Sequence, residues 1–222
     1  MKYNVNFKAL PTKAKIEYIW DYYRWHIFAI ICGIAIIISS VLHAITYNEP
    51  LLSVIMLNSY RSMSDTIDSG FDEFFETYGY ESFEGALELK KDLYFHGNGN
   101  TNQEDYQNYE IMLALLIGGD YEVFFGTGDA YLEFVEQGFF ADLSEILSDD
   151  LLKKYGEQMI YSDDMGESAE YPAAIILKNN QWLAENNYYN GNCYIGILNQ
   201  ENTSEVVIEF IEFILSYNQP CR

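Results

Sequence analysis

Histidine, cysteine and basic residues are scarce in this chain, and each scarcity removes a class of chemistry. There are three histidines and three cysteines in 222 residues. His96 is the only histidine after His43, so a Ser-His-Asp or Cys-His arrangement in the C-terminal part would have to use it. No G-x-S-x-G surrounds a serine and no H-E-x-x-H is present, so two common hydrolase signatures are missing. Lys and Arg total 12 against 34 Asp and Glu, a net charge of −22. A surface this acidic repels phosphate backbones, which argues against a nucleic-acid partner. It favours cationic partners or loosely held metal ions. Low-complexity content is limited to the Asn/Gly loop at 97–103, GNGNTNQ.

One stretch lacks formal charge altogether. Between Ile27 and Ile45 the chain reads IFAIICGIAIIISSVLHAI. At about 1.5 Å per helical residue this run crosses most of a ~30 Å hydrocarbon core. Its flanks differ in charge. Residues 1–47 hold five Lys/Arg against two acids, while residues 48–222 hold seven against 32, a net of −25. Positive flanks stay cytoplasmic, so the N-terminus is expected inside and the C-terminal domain outside the cell membrane. A cleaved signal peptide fits less well. Its leader would be 26 residues long with two acids, and Leu42-His43-Ala44 is a poor cleavage site. An uncleaved anchor is the better reading.

The organisation that follows is a cytoplasmic or interfacial amphipathic helix within residues 1–26, a transmembrane helix at 27–45, a linker at 46–50, and one α/β domain at 51–222. Thr12 reads as the cap of the first helix. Trp20, Tyr22, Tyr23 and Trp25 crowd the edge of the span, where amphipathic rings collect. In the domain, strands are expected at 51–58, 87–96, 121–126, 172–178 and 193–199. Helices are expected at 62–78, 104–117, from Gly128 to Gly138, 142–155 and 203–217. Residues 156–171 are polar and acidic with no clear period. Strands alternating with helices predict an α/β layer with a mostly parallel sheet of about five strands.

Several segments carry a family resemblance. Asp120 leads a strand at 121–126, a turn enters the helix after Thr127, and Gly138, Phe139-Phe140 and Asp142-Leu143 follow. This run resembles the bacterial extracellular solute-binding proteins of the type II periplasmic-binding-protein fold, which feed ABC importers. The strand at 51–58 and the strands at 172–178 and 193–199 resemble parts of the first lobe of that fold. The segment IEYIWDYYRWHI before a single span resembles membrane-anchored proteins of Gram-positive-type bacteria. The resemblance implies non-enzymatic binding of a small solute, or of a membrane transporter partner. The family has two lobes, however. Only residues 156–171 stand where the second would be inserted, so one lobe is expected here. The alternative role is a membrane-anchored interaction or assembly subunit without a small ligand.

In open α/β sheets, ligands collect at the carboxyl ends of strands. Two such ends are candidates. Asn58, Ser59 and Tyr60 follow the first strand. Gly126, Thr127, Gly128 and Asp129 follow the third, where a helix N-terminus offers free N–H groups. Thr127 is a candidate donor, and Tyr60 and Tyr131 are candidate stacking rings. The plainer reading is that these residues make turns and cap a helix. No cofactor is expected: Gly126-x-Gly128 is followed by neither Lys-Ser/Thr nor a third glycine. No metal is expected either. Asn98, Asn100, Asn102 and Glu104 alternate like a calcium loop but lack its glycine and its final acid. Asp163, Asp164 and Glu167 are looser still. Acid pairs such as Asp149-Asp150 are read as solvated faces, and no catalytic residue is assigned. Trp182, Tyr188, Tyr189 and Tyr194 read as core, with an exposed aromatic patch as the alternative. A Cys193–Cys221 disulfide is permitted outside the cell, with two free thiols as the plainer reading.

Overall fold

The structure is a computed structural model that describes residues 11–46, 49–60, 69–81, 83, 85–97, 103–162, 170–199 and 203–217. Ile67, the loop asparagines at 98, 100 and 102, the acids at 163, 164 and 167, and Cys221 lie outside the described residues. The chain divides into two compact units, Met1–Asn48 and Glu49–Arg222.

The described residues of the first unit form one helix, α1 (Thr12–Thr46), continuous through residue 26. No proline stands between Pro11 and Pro50 to break it. Tyr23–Leu42 within it is long and apolar enough to cross a membrane. That segment starts and ends a few residues earlier than the expected one. Its large side chains, Ile30, Ile31, Ile36 and Ile37 among them, are exposed. Each would gain about 1.5–3 kcal/mol on removal from water.

The second unit is α/β. Its first half alternates β1 (Leu52–Leu57), α2 (Ser69–Tyr78), β2 (Leu87–Leu93), α3 (Gln103–Gly118), β3 (Val123–Gly126) and α4 (Gly128–Glu136). Then come α5 (Leu143–Ile146), α6 (Asp149–Tyr155), β4 (Met159–Ser162), β5 (Tyr171–Leu177), α7 (Gln181–Glu185), β6 (Cys193–Ile197) and α8 (Glu205–Ser216). The six strands form one sheet in the order β2-β1-β3-β6-β5-β4. The pairs β2–β1 and β1–β3 are parallel, and the other three are antiparallel. The sheet is therefore mixed, with one strand more than expected. β4 was hidden in the polar stretch 156–171, and it pairs with β5 as a hairpin.

The expected helix at 142–155 is two helices. Leu147 leaves helical geometry at φ −88°, ψ 150° and turns into the core, where it is 5% exposed. Asp142 caps α5 by accepting from the Ser144 N–H at 2.8 Å. The short α7 was not legible. Asn180 creates it, accepting from the Leu183 N–H at 3.1 Å while its amide donates to the Ile214 carbonyl of α8 at 2.9 Å.

Two hydrophobic clusters cover the two faces of the sheet. On one, Leu52, Val54 and Met56 of β1 meet Phe71 and Phe74 of α2 and Phe210 of α8. On the other, Ile55 and Leu57 meet Met112 of α3 and Tyr131 and Phe134 of α4. β1 is thus buried on both faces, as its unbroken apolar run predicts. α8 buries Val207, Phe210, Ile211 and Ile214 as its period predicts. In α4 the inner face is Ala130, Tyr131, Phe134 and Val135, and Leu132 is only half-buried. Trp182, Tyr188 and Tyr189 are core, and Tyr194 is half-buried.

Two reciprocal tyrosine–glutamate bonds tie α2 to α8. Tyr80, just after α2, donates to Glu209 of α8. Tyr217, just after α8, donates to Glu73 of α2 at 2.7 Å. These bonds to carboxylates push both phenols up to about 12. A phenol whose folded pKa is raised stabilises the fold fully below its unfolded value and loses that contribution as pH rises through the folded one. Stability is therefore expected to fall between about pH 10 and 12. A Tyr80→Phe/Tyr217→Phe double variant should lose part of that fall when melting is followed across this range.

Candidate functional site

The parallel trio β2-β1-β3 sets the candidate site. α2, which follows β1, packs on one face of the sheet, and α4, which follows β3, packs on the other. The helices that follow the adjacent ends of β1 and β3 therefore lie on opposite faces. A crevice outside such ends is the usual ligand position of an open α/β sheet. The structure brings both candidate segments to this edge, because β1 and β3 are neighbours running the same way.

Most polar groups expected to meet a ligand are bonded within the protein. Asn58 adopts a left-handed conformation at φ 59°. Its amide donates to the Phe95 carbonyl at 2.7 Å and accepts from the Phe95 N–H at 2.9 Å. That locks the end of β1 to the segment leaving β2. Ser59 is fully buried, and its hydroxyl donates to the Tyr188 carbonyl at 3.2 Å. The Tyr60 N–H donates to the same carbonyl at 2.9 Å, while its ring is 68% exposed.

The β3 end differs. Gly126 lies against Tyr131, and a Cβ there would come within 2.6 Å of that ring. Thr127 precedes α4 in extended geometry and makes no side-chain cap bond. Gly128 (φ 69°) and Asp129 are exposed. Tyr131 is not accessible at this edge. It is fully buried, stacks on Tyr194 with ring centroids 5.2 Å apart, and donates to the Phe124 carbonyl at 3.3 Å. The stacking role expected of it is therefore taken by core packing. Burial pushes its phenol well above the ordinary value.

Three residues after β2 join the edge and were not among the candidates. Tyr94 is 45% exposed, and its hydroxyl donates to the Ser59 carbonyl at 2.9 Å. His96 is exposed, and its Nδ1 lies 3.1 Å from Oδ1 of the buried Asp105. Gly97 (φ 71°) lies against the start of α4, where a Cβ would come within 2.8 Å of the Ala130 nitrogen. Tyr94 carried no signal of this in the sequence, because the strand was expected to run on to residue 96, whereas β2 ends at Leu93. The side chains of Tyr60 and Tyr94 are exposed at these strand ends, and that of Thr127 is half-buried.

These strand ends offer two aromatic faces and a hydroxyl. Cys193 is fully buried as a free thiol, and burial pushes its pKa up, which disfavours the nucleophilic thiolate. Among the described residues, no group of three or more His, Cys, Asp or Glu side chains converges to hold a metal. No family model, curated protein or solved structure matches the chain.

Proposed function

We propose that this chain is a membrane-anchored, extracytoplasmic binding protein without enzymatic activity, with α1 as its anchor and the end of the β1–β3 pair as its binding edge. The observation that carries this reading is that the helices following β1 and β3 lie on opposite faces of the sheet, with the exposed Tyr60 and a Thr127 side chain that makes no cap bond at that edge. Such a rim suits a sugar or another small solute with an apolar face. The resemblance to one lobe of a type II periplasmic-binding protein supports the same reading. The segments that carry it fall on β3, α4, the Gly138 turn and the start of α5. One lobe leaves the edge open, so weak binding or a partner such as a membrane transporter fits better than full enclosure.

A second reading, an assembly subunit without a small ligand, is favoured by α3. Tyr106, Ile111 and Ile117 are exposed on it, and Ile117 is 74% exposed. A thermal-shift screen of the Glu49–Arg222 unit against sugars, peptides and metal ions separates the two. Ligand at about 100 times its Kd is expected to stabilise the unit by about 2.7 kcal/mol. Tyr60→Ala and Thr127→Ala should abolish that shift without lowering the unliganded melting temperature. Silence across the screen, with capture of a membrane partner that depends on Ile111 and Ile117, would favour assembly.

A further inference from the structure

We propose that Trp20, Arg24, Trp25 and Phe28 of α1 form a seat for the phosphate headgroup of an anionic phospholipid. Trp20, Arg24 and Phe28 follow one another at four-residue spacing, so they lie along one side of the helix. With Trp25 they line an open surface cleft of about 370 Å³. The Arg24 guanidinium sits 5.9 Å from the centre of the Trp25 ring. That cation–π contact pre-orients the planar fork while leaving its N–H donors available. Trp20 and Trp25 are 61% and 72% exposed. Indole rings of this kind settle at headgroup depth.

The position along the helix fits a lipid better than a soluble anion. The apolar segment begins at Tyr23, so Arg24 stands one residue inside it. An arginine there reaches out toward the headgroup layer rather than into hydrocarbon. Residues 1–47 carry five Lys/Arg against two acids, so the local charge attracts an anionic surface, whereas the rest of the chain repels one. The lipid holds the helix at a fixed depth, with the phosphate on Arg24 and the first acyl carbons against Phe28.

This inference rests on α1 crossing the membrane, and the test separates the two claims. The full chain is reconstituted in nanodiscs with equal phosphatidylcholine and phosphatidylglycerol, and retained lipid is counted by native mass spectrometry after release. Carbonate extraction of membranes checks insertion of each variant independently. The wild type is expected to retain phosphatidylglycerol over phosphatidylcholine by about five-fold. Arg24→Gln should remove most of that preference, Trp25→Leu should reduce it, and Lys13→Gln, outside the cleft, should leave it nearly unchanged. All should resist carbonate. Equal retention of both lipids by an inserted wild type overturns the headgroup seat, as does an undiminished preference in Arg24→Gln. A second protein copy in place of lipid, lost with the same variants, also overturns it. Extraction of the wild type by carbonate overturns the span itself.

Discussion

Trp182→Ala is expected to lower the stability of the α/β unit by about 3–5 kcal/mol, much of what a domain of this size possesses. The indole is the largest fully buried side chain. It meets Phe71 edge-on with ring centroids 5.3 Å apart, Tyr188 at 5.5 Å, and both Phe210 and Phe213 at 6.0 Å. Its Nε1–H donates to the Gly70 carbonyl at the start of α2, 3.3 Å away. One side chain therefore joins α7 to α2 and α8. Truncation opens a cavity that rings fixed by their own neighbours fill poorly. It also leaves the buried Gly70 carbonyl without this donor. Urea unfolding of the full chain in detergent gives the magnitude. Trp182→Phe keeps most of the volume and should recover more than half of the loss. A change below about 1 kcal/mol for Trp182→Ala would show that this cluster does not organise the domain.

Asn58→Ala is expected to cost about 2–4 kcal/mol, by a different mechanism. Two hydrogen bonds to the Phe95 backbone are lost, at about 0.5–1.5 kcal/mol each. Alanine must then adopt a left-handed conformation at φ 59°, which costs about 1 kcal/mol or more. Asn58→Gly separates the two costs. Glycine takes that conformation freely but makes neither bond, so it should be more stable than alanine by about 1 kcal/mol. Equal stabilities of the two variants would mean that the backbone conformation is not enforced. The same comparison bears on the binding edge. With its amide engaged by Phe95, Asn58 should affect a ligand through the shape of the edge, whereas Tyr60 and Thr127 should affect it by contact.

The parts of the fold legible in the sequence are those with a strong local period. β1 is an unbroken apolar run, and α8 shows a clear apolar side. The partnership of strands was less legible. β6 runs antiparallel between β3 and β5, although its composition matches that of the parallel strands. Nothing in an apolar pentapeptide fixes its direction, since neighbours supply that. β4 is four residues long and α7 is five, too short for either period to register. The binding edge was legible as position, because turn residues mark strand ends. The occupation of its groups was not. Asn58 meets Phe95 across 37 residues, and Ser59 meets Tyr188 across 129. The burial of Tyr131 was not legible either. Leu132 and Val135 read as the inner side of α4, whereas Ala130, Tyr131, Phe134 and Val135 are the residues it buries.

The account depends on a hydrocarbon-embedded α1 holding the α/β unit outside the cell, and protease treatment of intact cells tests this directly. The chain would carry a different epitope at each end. Externally added protease should remove the C-terminal epitope and leave the N-terminal one on a membrane-bound fragment. Protection of the C-terminal epitope until detergent is added would contradict the account, as would release of the whole chain from the membrane by an alkaline wash.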